Sequence, residues 1–444
     1  MASRTVTIFE YSEYGYEIVE NKSDENFTDG KFFLTEKTLC TLKNLNERDR
    51  FLNIGPSYIK TLNYVGVMKV GSFLVEIFPK FYKKRQIEFQ VQRDKAAYNL
   101  LKMLTFSERL PFRVREVDIA DLAISESPFF EILVQLFAKN LLKLLKSKQN
   151  LEYVRKVDEL KFVKGKIDTK RYSSPAKLHI IPCIFHERCM DNLINRTLKY
   201  TSYLMLHTVN TYDNFRLLKK IISILDPVPI IPIKLQEVDS IPFNRLNMDF
   251  KPFINICKVF LRNATFTLQA SEIETFSILI PMEILFEDFI AGVIRENKII
   301  LGDGAIVKPQ ESLGYLAQKE GNESGVFKLV PDILVLVGSK KFIIDTKYKT
   351  LDPDDKNLGV SQQDIYQMYA YATKSDAEKV LLLYPDLEGE LKNKWYFKLS
   401  DRKKIELFVR TVNLSYDLRE EWNRFLEGLK EVLGWLNTKT IEKP

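Results

Sequence analysis

Asp332, Asp345 and Lys347 interrupt an otherwise apolar double run, "PDILVLVGSKKFIIDTKYK", between Pro331 and Lys349. Gly338-Ser339 places glycine at the first central position that a type II′ hairpin turn requires. With that turn, Val337 stands opposite Lys340, Val335 opposite Phe342 and Asp332 opposite Asp345. Cβ atoms opposed in this way lie ~4.5–5.5 Å apart, so the two carboxylates repel unless something positive sits between them. Ile333, Val335 and Ile344 make one face apolar, and Leu334, Leu336 and Ile343 the other. The pair therefore reads as interior strands, where little water screens the repulsion. Lys347, two residues beyond Asp345, projects from the same face. One reading is a divalent cation held by Asp332 and Asp345 beside Lys347. The other is a plain Asp345–Lys347 ion pair at a strand end, with Asp332 merely following a proline. The hairpin alone leaves both open.

Two helical patterns flank the hairpin. "PMEILFEDFIAGVIREN" opens with Pro281 at a first helical position and carries the stripe Met282, Leu285, Phe286, Phe289, Ile290 and Val293. Glu287 lies at the edge of that stripe, within reach of the sheet, whereas Glu283 reads as a solvated acid. Downstream, Ser361 and Asp364 in "SQQDIYQMYAYATK" have capping-box spacing, and Gln367 and Tyr371 share a face at i, i+4. A strand, "KVLLLYP", follows.

The rest of the chain sets the context. At 444 residues it predicts two or three domains, with 45% hydrophobic and 28% charged residues typical of a globular protein. Residues 1 to about 95 read mostly as strands, and "PFFEILVQLFAKNLLKLLKSKQ" and "DNLINRTLKYTSYLMLHTVNTY" as helices. Residues 225–243 hold four of the 17 prolines and predict a boundary between residues 1–235 and 236–444. Four cysteines without a disulfide framework and an N-terminus without a long apolar stretch fit the cytoplasm. No apolar segment is long enough to predict a membrane span. The net charge of +7 permits a polyanionic partner without requiring one. "GNESGVFK" lacks the spacing and the Ser or Thr of a phosphate-binding loop, so no nucleotide site is expected. His179, Cys183, His186 and Cys189 invite a zinc reading, but "HIIPCIF" is an apolar strand pattern, and Cys183 reads better as a buried small residue.

The order of glutamate helix, Asp strand, Asp-x-Lys strand, Gln-x-x-x-Tyr helix and strand resembles the PD-(D/E)-x-K nuclease core. That family's metal and lysine positions fall on Glu287, Asp332, Asp345 and Lys347. The Gln-x-x-x-Tyr helix resembles the RecB-like and Cas4-like subgroup. "VGVMKVGSFLVEIFPKF", "LKFVKGKIDTKR", "FHERCMDNLINRTLKY", "IPFNRLNMDFKPFINICKVFL", "LFEDFIAGVI" and "DTKYK…DIYQMYAYA" then follow the order of the McrC family, the endonuclease subunits of McrBC modification-dependent restriction systems.

The resemblance implies a multidomain α+β or α/β protein. A β-rich and helical N-terminal region (1–235) would dock on a separate McrB-like AAA+ GTPase hexamer and stimulate it, and a nuclease domain (236–444) would have a mixed sheet flanked by helices. The implied activity is hydrolysis of double-stranded DNA carrying modified cytosine, such as 5-methylcytosine. Two copies would be needed to break both strands. The implied cofactor is Mg²⁺, with Mn²⁺ as a substitute, on Asp332, Asp345, Glu287 and the Thr346 backbone carbonyl. Lys347 would position or help deprotonate water, or stabilise the phosphate, while Gln367 and Tyr371 would support the site or contact phosphate. "FPKFYKKRQ" (78–86), basic with aromatics, would be a solvated loop or a contact to DNA or the ring. A stand-alone or helicase-associated nuclease of the same superfamily, and a non-catalytic adaptor of an AAA+ ring, are the alternatives.

Overall fold

The computed structural model describes residues 4–80, 89–107, 109, 114–120, 127–171, 180–263, 265–266, 273–301, 304–320, 325–386, 392–398 and 404–434. Most of the "FPKFYKKRQ" run, and His179, lie outside them.

The β-branched and aromatic segments of the first 80 residues build strands in two five-stranded sheets. In one, Arg4–Phe9 runs parallel to Phe73–Phe78, which returns antiparallel on Tyr64–Val70. The next strand in that sheet is Ile273–Pro281, paired antiparallel with Tyr64–Val70. This segment from beyond the proline-rich stretch, with Thr265–Phe266 on its outer side, thus completes an N-terminal sheet, so hydrogen bonding crosses the expected 235/236 boundary. Gly66 permits the close approach: it takes φ +130°, and a Cβ there would lie 2.2 Å from the Ile278 carbonyl oxygen.

The other sheet runs Asn26–Thr28, Lys31–Leu34, Glu13–Ile18, Tyr58–Thr61, Leu52–Ile54. Its apolar face shares a core with the helix Glu36–Asp49, which interrupts the expected run of strands. Thr35 caps this helix through the Thr38 amide, and Leu39, Leu42 and Leu45 are its buried apolar side chains among the described residues.

The strongest helical pattern forms Phe129–Ser147, with Lys146 in its last turn as a helix C-terminus favours. The second forms Leu193–Leu206, and a further helix, Tyr212–Ile224, begins at the pattern's last residue. With Lys251–Asn263 these share one apolar core that continues into the sheets, from Phe9 to Leu433. Among the described residues, no helix is long and apolar enough to cross a membrane.

The C-terminal half holds a six-stranded mixed sheet, in the order Ile306–Pro309, Ile333–Val337, Lys340–Thr346, Lys379–Asp386, Lys404–Asn413, Lys392–Lys398. Lys340–Thr346 and Lys379–Asp386 are parallel, and the helix Gln362–Ser375 is their crossover. Ile333, Val335 and Ile344 enter the large core, whereas Leu334 and Ile343 face a second core with Met368, Tyr371 and Ala372. The hairpin is therefore buried on both faces, as its double apolar pattern requires.

Candidate active site

The hairpin register is the expected one. Val337 pairs with Lys340, Val335 with Phe342 and Ile333 with Ile344, and Gly338 takes φ +61° in the turn. One step outward, Asp332 and Asp345 meet at the open end of the pair. Asp332 lies just before its strand, and its Oδ2 accepts hydrogen bonds from the Thr346 amide at 2.7 Å and the Thr346 hydroxyl at 2.8 Å. Asp345 is 1% exposed, and the Lys347 ammonium stands 2.6 Å from its Oδ2. That contact is an ion pair without hydrogen-bond alignment, and among the described residues no donor satisfies Asp345 Oδ1.

Lys347 is held at three points. Its amide donates to the Leu383 carbonyl of the neighbouring strand at 2.9 Å. Its ammonium contacts Asp345 and donates to Gln367 Oε1 at 3.0 Å. Gln367 Nε2 in turn donates to the Tyr371 hydroxyl at 2.8 Å, which donates to the Val330 carbonyl at 2.9 Å, two residues before Asp332. The i, i+4 spacing of Gln367 and Tyr371 thus ties the lysine back to the segment that presents the first aspartate. Ser361 accepts from the Asp364 amide and fixes the start of their helix, while buried Asp364 faces the Lys349 ammonium at 3.5 Å.

Glu287 reaches the same end of the sheet from the helix Met282–Glu296, and Glu283 is exposed as expected. Arg109 pairs with Glu287 Oε2 at 2.9 Å and with Asp288 at 2.5 Å, and the Gln310 side chain donates to Glu287 Oε1. The Gln310 amide also donates to the Asp332 carbonyl at 2.9 Å, linking the two acids through one residue. No local sequence signal marks Arg109 or Gln310, because neither lies in a periodic pattern and both act across long chain separations.

The electrostatics bind the three acids into one system. Burial, and then the Asp345 charge, push Asp332 up to about 7 against the pull of the Thr346 hydrogen bonds. Burial raises Asp345 although Lys347 opposes it, and the Glu287 charge adds to the rise. Burial and the Asp332 charge raise Glu287, with Arg109 opposing. Burial disfavours the Lys347 ammonium, but the neighbouring carboxylates outweigh it and hold its pKa above the ordinary lysine value. Burial and the Asp345 charge push Tyr371 up to about 12, so it remains a donor.

These residues fit a hard divalent cation. A buried carboxylate oxygen without a donor is costly, and oxygen ligands at a strand end suit Mg²⁺, which keeps several waters beside one or two carboxylates. Among the described residues, no group of three or more His, Cys, Asp or Glu side chains is placed to hold a metal ion. The fit is therefore to an open site on Asp332 and Asp345, with Glu287 turned partly away toward Arg109. The zinc alternative finds no such support. Cys183 and Cys189 lie six residues apart on one extended strand, ~20 Å of chain, and His186 has the opposite parity.

The chain is similar to two solved structures. One is a refined half-complex from a tetradecameric assembly of Thermococcus gammatolerans McrB AAA+ hexamers with bound McrC, at a TM-score of 0.67 and 19% identity. It covers 96% of this chain and 100% of that one. The other is the cryo-EM structure of the Thermococcus gammatolerans McrBC complex, at a TM-score of 0.52 and 22% identity, covering 66% of this chain and 88% of that one. At these identities the likeness concerns the fold. No curated protein matches the sequence. A family model matches residues 59–385, and the chain belongs to the family of the McrBC 5-methylcytosine restriction system component.

Proposed function

We propose that this chain is the endonuclease subunit of a restriction system of the McrBC type, hydrolysing phosphodiester bonds in double-stranded DNA that carries modified cytosine. The observation that carries the reading is the meeting of Asp332, Asp345 and Lys347 at one end of a buried hairpin. The mixed sheet with its crossover helix supports a PD-(D/E)-x-K core. A solved structure of similar fold is described as McrC bound to McrB AAA+ hexamers, which supports a McrB-like GTPase as partner. The N-terminal region would make that contact, and two copies would be needed for a double-strand break.

Asp332 and Asp345 would hold Mg²⁺ or Mn²⁺, with Glu287 and the Thr346 carbonyl completing the set directly or through water. When bound, the cation supplies Lewis-acid polarisation of the phosphate and a more acidic water. Lys347 remains charged and acts as a fixed cation toward the developing negative charge on phosphate, a role that suits its raised pKa better than proton abstraction does. Gln367 and Tyr371 keep that cation in place.

The test is reconstitution with the cognate McrB-like GTPase, GTP, Mg²⁺ and duplex DNA containing 5-methylcytosine. Asp345→Ala and Lys347→Ala should each lower cleavage by ~10²-fold or more while complex formation and GTPase stimulation persist. Undiminished metal-dependent cutting by the double variant would refute the assignment. Cutting that needs neither partner nor GTP would favour a stand-alone nuclease. The Asp345–Lys347 contact is also what a non-catalytic adaptor would contain, and calorimetric titration without Mg²⁺ or Mn²⁺ binding would favour that reading.

A further inference from the structure

Tyr348 directly follows Lys347, yet its partners lie in the N-terminal sheet. It is 4% exposed, its ring lies 5.8 Å from that of Phe286, and its hydroxyl donates to Glu10 Oε1 across 338 residues of chain. Glu10 directly follows the strand Arg4–Phe9, is fully buried, and is fixed through its own amide to the Phe78 carbonyl at 2.9 Å. The Lys80 amide donates to the same carboxyl oxygen at 3.2 Å, and the Lys80 ammonium donates to the Thr350 hydroxyl at 2.5 Å. Two tethers, Glu10–Tyr348 and Lys80–Thr350, thus join one end of the N-terminal sheet to the three residues after Lys347.

Among the described residues, Glu10 Oε2 is buried with no hydrogen-bond partner, and burial pushes the carboxyl up to about 7. A fold that only needed to fill this space would avoid such a cost. The lysine head is already held by Asp345 and Gln367, and its amide by Leu383. The backbone on its far side is fixed by Tyr348. A reacting group displaced by ~1 Å can lose ~10²-fold in rate, so this last anchor bears on chemistry as well as stability.

We propose that Glu10 is a positioning residue for the cleavage site, acting through the Tyr348 hydroxyl to hold the segment that carries Lys347, so that the N-terminal sheet and the Asp345–Lys347 strand end move as one body. This rests on the hydrolase reading above. It also gives the N-terminal region a direct mechanical route to the site.

The experiment is single-turnover cleavage by the reconstituted complex on 5-methylcytosine duplex with Mg²⁺, at equal folded fractions set by thermal melting. Tyr348→Phe and Glu10→Ala should slow the cleavage step by ~10–100-fold with DNA affinity unchanged. Glu10→Gln, which keeps the acceptor, should restore the rate to within about threefold of wild type, and Glu10→Ala/Tyr348→Phe should be no slower than the slower single variant. If Glu10→Ala does not fold, Tyr348→Phe against Glu10→Gln carries the test. Lys347→Ala separates the two levels. Loss of cutting there, with Tyr348→Phe at the wild-type rate, would overturn only the positioning role, as would Glu10→Gln being as slow as Glu10→Ala. A wild-type complex that does not cut would overturn the hydrolase reading and this inference with it.

Discussion

The Lys347 ammonium donates a 3.0 Å hydrogen bond to Gln367 Oε1, and the same amide group donates onward to Tyr371. One helix turn therefore aims the lysine and braces the Val330 carbonyl ahead of Asp332. Gln367→Ala should slow cleavage by ~10–100-fold through misplacement, with little change in DNA affinity. Tyr371→Phe, which removes only the last link, should cost less. Single-turnover rates beside DNA binding isotherms check both, and a loss confined to binding would assign Gln367 to phosphate contact instead.

Asp332 sets a pH dependence whose sign follows from its raised pKa. Burial in the folded chain pushes its carboxyl up to about 7, well above the ordinary aspartate range of an unfolded chain. Between those values the folded state binds more protons than the unfolded one, so this group's contribution to stability falls as pH rises and is constant above about 7. Asp332→Asn removes that penalty. The melting temperature of the variant minus that of wild type, both without metal, should grow from pH 4 to pH 7 and then level off. Millimolar Mg²⁺ at pH 8 should raise the wild-type midpoint and leave the variant's nearly unchanged.

Arg109 holds Glu287 down against burial and the Asp332 charge. Arg109→Ala should therefore raise the Glu287 pKa further and move the acid limb of the cleavage pH profile upward. The profile of Glu287→Gln/Arg109→Ala should not differ from that of Glu287→Gln alone. An acid limb that stays in place in Arg109→Ala would remove Glu287 from the reacting system.

Two glycines separate backbone strain from backbone collision. Gly338 takes φ +61° in open space, so Gly338→Ala meets only the left-handed penalty, about 1–2 kcal/mol. Gly66→Ala adds a 2.2 Å approach to the Ile278 carbonyl and should break the pairing of Tyr64–Val70 with Ile273–Pro281. Urea midpoints should place Gly66→Ala well below Gly338→Ala. Equal midpoints would mean that the sheet absorbs the added methyl.

The hairpin was legible in the sequence because its information is local. Period-two alternation sets the faces, and a glycine at the turn sets the register, so local rules alone put Asp332 opposite Asp345. The Gln367–Tyr371 pairing is equally local, since residues four apart on a helix are neighbours. The helix Glu36–Asp49 had its signals in Thr35 and the spacing of Leu39, Leu42 and Leu45, but strand-rich neighbours outweighed them.

What the sequence by itself determined, then, is the geometry within single turns, helices and hairpins: which acids face each other, and which side chains share a face. Tertiary structure alone decided that Ile273–Pro281 joins the N-terminal sheet, that Arg109 neutralises Glu287, and that Glu10 anchors Tyr348. Local contacts are dictated by fixed backbone periods. These others depend on how chain segments hundreds of residues apart bury their apolar faces together, and no spacing rule records which polar group each burial brings beside another.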